Sequence, residues 1–157
     1  MPKTLTFKQY MRKIGDLPEE MEEAIIKGLR SASVRGVSAV VESINTTSPH
    51  PAVDTGQLAR SVESSDLPRG GRLAVDAPHA AVVENGARPF WPPLQPLVDW
   101  AQRKFGVDED EAEEIARNVQ RKIATFGIEP RHYFRRAMVS VRKFVPIEVE
   151  SELRKLK

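Results

Sequence analysis

The sequence contains no cysteine. That excludes a disulfide framework and any thiolate metal site, and it is compatible with a reducing compartment. No apolar run approaches the roughly 18 residues of a membrane-spanning helix, and the residues after Met1 lack the charged, apolar, small-residue order of a secretory signal. Charge of one sign is not in excess: the formal net charge is +2, too small on its own to argue for a nucleic-acid partner. The sequence also shows no internal repeat and no low-complexity segment. Catalytic patterns are missing as well. His50, His79 and His132 lie in three separate local contexts, with no second histidine or glutamate at metal-ligand spacing. Ser61 and Ser64 lack the glycines of a nucleophile elbow. Arg69-Gly70-Gly71-Arg72 is a turn without the helix that a phosphate loop requires. These absences predict a chain without enzymatic activity, cofactor or bound metal.

What is present is an ordinary globular composition, 40% apolar and 29% charged over 157 residues, enough for one domain with a real core. A capping box at Thr6 and the shared face of Phe7, Met11 and Ile14 predict a short helix over residues 1–15. Asp16-Leu17-Pro18-Glu19 reads as a second helix start. Met21, Ile25, Leu29, Ala32, Gly36, Val40 and Ile44 then recur at three- and four-residue steps, which predicts an amphipathic helix of about 28 residues. Its early glutamates sit where the helix dipole favours anions. Arg30 and Arg35 fall off the apolar stripe and read as solvated. Gly28, Ser31, Ser33, Gly36 and Ser38 are either weak helix formers tolerated in passing or a place where another backbone comes close.

Asn45–Ala52 reads as a loop carrying His50. Asp54 can cap a single helical turn through Gln57, which sets Leu58 against the core. Pro68-Arg69-Gly70-Gly71 is a hairpin turn between strands at about 60–66 and 71–76, and the β-branched pair Val82-Val83 is predicted to lie beside them. Asn85-Gly86 is a turn dipeptide, and Pro89, Pro92 and Pro93 bias their predecessors towards an extended path. Helices follow from Leu94 to near Gly106, from the acidic run Asp108–Glu111 to Gly127, and from about Arg131, where Pro146 is expected to kink or interrupt the last one. The tail 147–157 is charged. The fold class is therefore α+β, with a small antiparallel sheet of three or four strands packed against the long first helix and the C-terminal helices.

Two surfaces are candidates for binding. Glu84, Arg88, Phe90, Trp91 and Arg131 surround the proline-stiffened segment, and Glu84 is either a solvated turn carboxylate or half of an intersubunit ion pair with Arg88 or Arg131. Arg135, Arg136, Arg142 and Lys143 cluster on the last helix with Tyr133 and Phe134 interleaved, a candidate contact for DNA, although Glu148, Glu150 and Glu152 follow. The acidic run Asp108–Glu111 reads far more readily as dipole and solvation residues than as a Mg²⁺ site.

Val53-Asp54-Thr55-Gly56-Gln57-Leu58, the hairpin, Ala77-Pro78-His79-Ala80-Ala81-Val82-Val83-Glu84-Asn85-Gly86, Arg88-Pro89-Phe90, and Pro130-Arg131-His132-Tyr133-Phe134 together resemble the HK97 gp10-like tail-component family of long-tailed bacteriophages. That family has V-D-T-G-x-L after a long helix, then A-P-Y-A-x-x-V-E-x-G-T, P-F-x-x-P and a closing helix. The match runs over about residues 17–145, and order and spacing carry it more than any one block. His79 stands where the family has tyrosine, Ala87 where it has threonine, and a helical pair from Leu94 to Gly127 is inserted. Either the Arg88-Pro89-Phe90 block or the Pro130–Phe134 block can stand for P-F-x-x-P. The resemblance implies a virion protein at the head–tail junction, a tail-completion or neck component assembled in the host cytoplasm. It further implies a homo-oligomeric ring, a hexamer, that meets neighbouring neck, connector or tail-tube proteins and lies near passing DNA, with no membrane.

Overall fold

The predicted apolar stripe does form a helix. In the computed structural model, which describes residues 18–46 and 54–156, α1 runs Glu19–Asn45 over 27 residues with Glu19, Glu20 and Glu22 in its first turn. The short helix expected at 1–15, Val53 and the loop histidine His50 lie outside the described residues. After α1 come α2 (Gln57–Arg60), β1 (Val62–Leu67), β2 (Gly70–Val75), α3 (Ala80–Asn85), α4 (Leu94–Phe105), α5 (Glu109–Phe126) and α6 (Tyr133–Arg154). The architecture is mostly helical with one small antiparallel sheet.

Among the described residues that sheet has two strands, β1 and β2, rather than the three or four expected. Val82 and Val83, expected as a strand, lie in α3. The reason is local. A β-branched pair is too short to hold an extended run when Ala80, Ala81 and Glu84 around it are good helix formers, and Gly86 at φ 73° ends the helical turn. Asp54 does not cap α2. Gly56, at φ 74°, precedes that turn, and the Asp54 carboxylate instead accepts from Arg103 at 3.0 Å. Leu58 is buried as expected.

The described residues fall into two compact units. The first takes the chain up to Ala39, Glu63–Ala74 and the chain from Met138 onward. Here the small residues of α1 have a clear purpose. A methyl group added at Gly28 would lie 2.5 Å from the Val149 Cα, and one at Gly36 would lie 3.0 Å from the Leu73 side chain and 3.2 Å from Val141. At Gly71 an added carbon would meet Ser33 at 2.2 Å. Helix α6 and the hairpin therefore approach α1 at backbone distance, the second of the two readings. Arg30 is not merely solvated. Its guanidinium donates to the Leu67 carbonyl at 2.9 Å and lies 3.5 Å from Asp66, which ties the hairpin down. Arg35 stacks 4.1 Å over the Phe144 ring and donates to Glu148 at 2.9 Å. Pro146 does not interrupt α6; it is exposed, so the carbonyl it leaves without a donor can face water.

The second unit takes Val40–Val62 and Val75–Ala137. Val40, Ile44 and Tyr133 are its fully buried large side chains, each contributing about 1.5–3 kcal/mol through burial. Within it α4 and α5 pack through Val98, Ala101, Ala112 and Ala116, with Leu94, Leu97, Trp100 and Ile115 around them. The alanines at zero exposure let the two helices lie close. Asp108 caps α5 by accepting from the Glu111 amide at 2.9 Å, and Gly106 and Gly127 close the two helices at positive φ.

Gly28→Ala should lower stability by about 1–3 kcal/mol, because overpacking outweighs the roughly 1 kcal/mol that alanine gains in helix propensity. Ser38→Ala, on the exposed side of α1, should be neutral or slightly stabilising. Urea denaturation checks both, and a more stable Gly28→Ala protein would contradict the close approach.

Candidate functional site

The candidate site lies within the second unit, where two sequence blocks meet. The first is α3 with Asn85-Gly86-Ala87; the second is Ile128–Tyr133. Ala87 and Ile128 form an isolated antiparallel bridge, with each amide donating to the other's carbonyl at 2.9 and 2.8 Å. The Arg131 amide donates to Val83 O at 2.8 Å and the His132 amide to Glu84 O at 3.0 Å. The last carbonyls of α3 would otherwise be orphaned; here a remote segment supplies their donors.

Glycine makes this crossing possible on both sides. A carbon added at Gly86 would lie 2.4 Å from Ile128 O, and one at Gly127 would lie 2.1 Å from Ala87 O. Both residues also hold positive φ, 73° and 75°, which side chains disfavour. The Glu-Asn-Gly sequence is thus a helix end shaped for close approach.

Glu84 has a role that local sequence does not reveal. One carboxylate oxygen accepts from the Phe134 amide at 2.8 Å and the other from the Arg135 amide at 3.0 Å. These are free amides of the first turn of α6, the groups that a capping side chain normally satisfies. The residue before α6 cannot do so itself. His132 sits at φ 51°, the one described non-glycine residue with positive φ, and its Nδ1 is buried with no hydrogen-bond partner among the described residues. A carboxylate from α3 replaces the missing cap, and its charge lies against the positive end of α6. Within the chain Glu84 is thus neither simply solvated nor paired with Arg88 or Arg131 but bound to backbone amides.

Tyr133 completes the clasp. Its hydroxyl donates to Ala80 O at 3.3 Å, and its carbonyl accepts from Ser43 Oγ at 2.7 Å. Burial, and then the nearby negative charge of Glu84, push the phenol up to about 12. The phenol therefore stays protonated, and the Glu84 oxygens are already engaged by amides. The arrangement holds backbone in place.

Beyond the clasp the chain runs through Arg88–Pro93 without helix or strand, with Pro93 at φ −59° and ψ 140°, the extended path that the prolines predict. Gln120, a buried polar residue that periodicity overlooks, donates to Pro92 O at 2.7 Å and fixes the end of this segment. Phe90 and Trp91 are 43% and 66% exposed, so neither ring is part of the core of its own chain. Arg88 is exposed and Arg131 half-buried. Phe126, 76% exposed at the end of α5, is a third aromatic that sequence reasoning missed; only its position off the Ala112–Ile123 stripe marks it.

The candidate DNA contacts Arg135, Arg136, Arg142 and Lys143 are all exposed, and Arg136 also donates to Arg131 O at 2.7 Å. Helical geometry sets Arg135 with Arg142 and Arg136 with Lys143 on two stripes about 100° apart. His79 is exposed at the start of α3. Among the described residues, no group of three or more histidine, aspartate or glutamate side chains stands where it could hold a metal ion, and no helix is long and apolar enough to cross a membrane.

Because the Tyr133 phenol titrates higher when folded, near 12, than its ordinary value of about 10, the folded state retains a proton that the unfolded state releases. The stabilisation is present below about pH 10 and is lost as pH rises towards 12. Tyr133→Phe should flatten this part of the alkaline unfolding profile, measured by circular dichroism. Glu84→Ala should lower stability by about 1–2 kcal/mol through loss of the cap, and Glu84→Gln, with one acceptor left, by less.

Comparison with protein-family models, curated proteins and solved structures finds no match to this chain.

Proposed function

We propose that this chain is a structural virion protein of a tailed bacteriophage or prophage, a tail-completion or neck component that forms a ring at the head–tail junction. The observation that carries this reading is the meeting of the Ala77–Gly86 and Pro130–Phe134 blocks, two pieces of the phage tail-component resemblance, in a single clasp. Blocks that are only chance turn motifs have no reason to pair, whereas Glu84 and Gly86 of one block each meet the other at hydrogen-bond or backbone distance. The second support is the exposure of Phe90 and Trp91 on a segment stiffened by three prolines. Such a segment loses little entropy on docking, and exposed aromatic residues of this kind are suited to anchoring an interface. The role is binding and assembly rather than catalysis: the titratable groups of the clasp are engaged in holding backbone.

A second reading, DNA binding by α6, draws on the exposure of Arg135, Arg136, Arg142 and Lys143. It requires affinity that falls steeply with salt, with a log–log slope of about −0.9 for each phosphate neutralised. The ring reading requires a discrete closed oligomer instead.

Native mass spectrometry and negative-stain electron microscopy of the purified protein, with antibody labelling of tailed particles, test the proposal. Rings in solution and label at the neck are expected. Trp91→Ala and Phe90→Ala should keep the wild-type melting temperature within about 2 °C, as exposed sites do, yet lose ring formation or tail joining. Normal assembly of both variants would move the interface elsewhere, and unfolding of both would make the rings core.

A further inference from the structure

Helix α5 is electrically two-ended. Its first half carries Asp108, Glu109, Asp110, Glu111, Glu113 and Glu114, and its second half carries Arg117, Arg121 and Lys122. Asp108 caps the helix, and Glu113 pairs with Arg117 one turn away. Asp110, Glu114, Arg121 and Lys122 are exposed. At 1.5 Å rise per residue Glu114 and Arg121 stand about 10 Å apart along the axis, and Asp110 and Lys122 about 18 Å, so beyond the Glu113–Arg117 pair these charges do not meet within one helix.

The basic end coincides with the aromatic surface. Gly127 lies against Arg88 and Pro89, where a carbon added to it would come within 3.0 and 3.1 Å. The antiparallel bridge between Ala87 and Ile128 makes the chain leaving towards Phe90 run back along the chain that arrives through Phe126. Phe126, Phe90 and Trp91, exposed by 76%, 43% and 66%, thus gather at the end of α5 that also bears Arg121 and Lys122. Exposed aromatics rimmed by charge of one sign have the form of an interface.

We infer that the occupant is a second copy of this chain: the basic, aromatic end of one α5 receives the acidic end of its neighbour's α5. Charge complementarity selects the partner, since the chain itself carries the opposite patch. In the ring reading each copy offers one patch to each of two neighbours, so the contact is heterologous and each added copy leaves one patch of each kind open; a closed antiparallel dimer, which pairs both patches at once, is the isologous alternative. Repeated in the same sense, such a contact closes into a ring or runs on as a filament. This inference rests on the ring-forming reading above and supplies the contact that the reading leaves open. It also gives the α4–α5 helical pair a role: self-association.

The test uses two full-length variants, Arg121→Glu with Lys122→Glu, and the fourfold Glu109→Lys, Asp110→Lys, Glu111→Lys and Glu114→Lys. All six sites are exposed, and circular dichroism confirms that folding is kept. The first variant is acidic at both ends of α5 and the second basic at both, so each alone should self-associate at least about tenfold more weakly than wild type in sedimentation velocity, like charges now facing each other. An equimolar mixture should restore association, because every contact then joins opposite charges. Wild-type association should weaken as salt shortens the screening length from about 10 Å at 0.1 M to about 3 Å at 1 M. Association of either variant alone at wild-type strength, failure of the mixture to restore it, or a monomeric wild type overturns the inference. Wild-type rings that ignore the charge reversals but vanish in Trp91→Ala sink this contact and leave the ring reading standing. Charge-dependent association without label at the phage neck sinks the virion reading and leaves this contact standing.

Discussion

The Glu84 carboxylate on the first amides of α6 is the interaction on which the second unit depends. It is a cap delivered from 50 residues upstream, and it satisfies two donors that no residue beside them can reach. Around it the remaining bonds follow in order. Arg131 and His132 supply donors to the end of α3, Ala87 pairs with Ile128, and Tyr133 drops into the core with its hydroxyl towards Ala80. The positive φ of His132, which costs on the order of 1–3 kcal/mol, is tolerable because these neighbours over-determine it. A mid-chain carboxylate is thus worth more to the fold than its modest burial suggests.

Much of this was legible in the sequence where the signal is local. The stripe from Met21 to Ile44 marks α1, Asp108 marks the start of α5, Asn85-Gly86 marks a break, and Pro68–Gly71 marks the hairpin. What escaped was decided by partners far along the chain. Arg30 and Arg35 look like solvated residues because nothing nearby names the Leu67 carbonyl or the Phe144 ring as their partners. Gln120 sits on an otherwise apolar face, and only the folded chain brings the Pro92 carbonyl to it. Val82 and Val83 prefer strand by residue type, but a helix-forming context and a remote donor for the Val83 carbonyl override a preference worth a fraction of a kcal/mol. For the candidate site, the sequence identifies Glu84 but not the amides it holds, and Phe90 and Trp91 but not Phe126.

Charge is distributed with the same economy. The net charge is only +2, yet the acids and bases of α5 are segregated by half-helix, and those of α6 run from Arg135 and Arg136 to Glu150 and Glu152. Such segregation leaves the molecule nearly neutral from a distance while giving it direction at contact range, since separations beyond about 10 Å are screened at ordinary salt. Ion pairs within single helices, Glu113 with Arg117 and Glu150 with Arg154, are exposed and add about 0.5 kcal/mol or less each to stability.

The bridge between Ala87 and Ile128 has a consequence for how this chain can be shortened or extended. Everything between those residues, α4 and α5 included, leaves and re-enters the rest of the unit through one doorway, its two jambs held by reciprocal hydrogen bonds. The excursion carries its own apolar core. Lengthening or trimming a segment whose ends are already side by side changes the closure entropy only as the logarithm of its length, about 0.6 kcal/mol for each doubling. The helical pair is therefore a cassette: it can be replaced by a tight turn, or exchanged for another hairpin of helices, with Gly86 and Gly127 kept as the hinges of the frame.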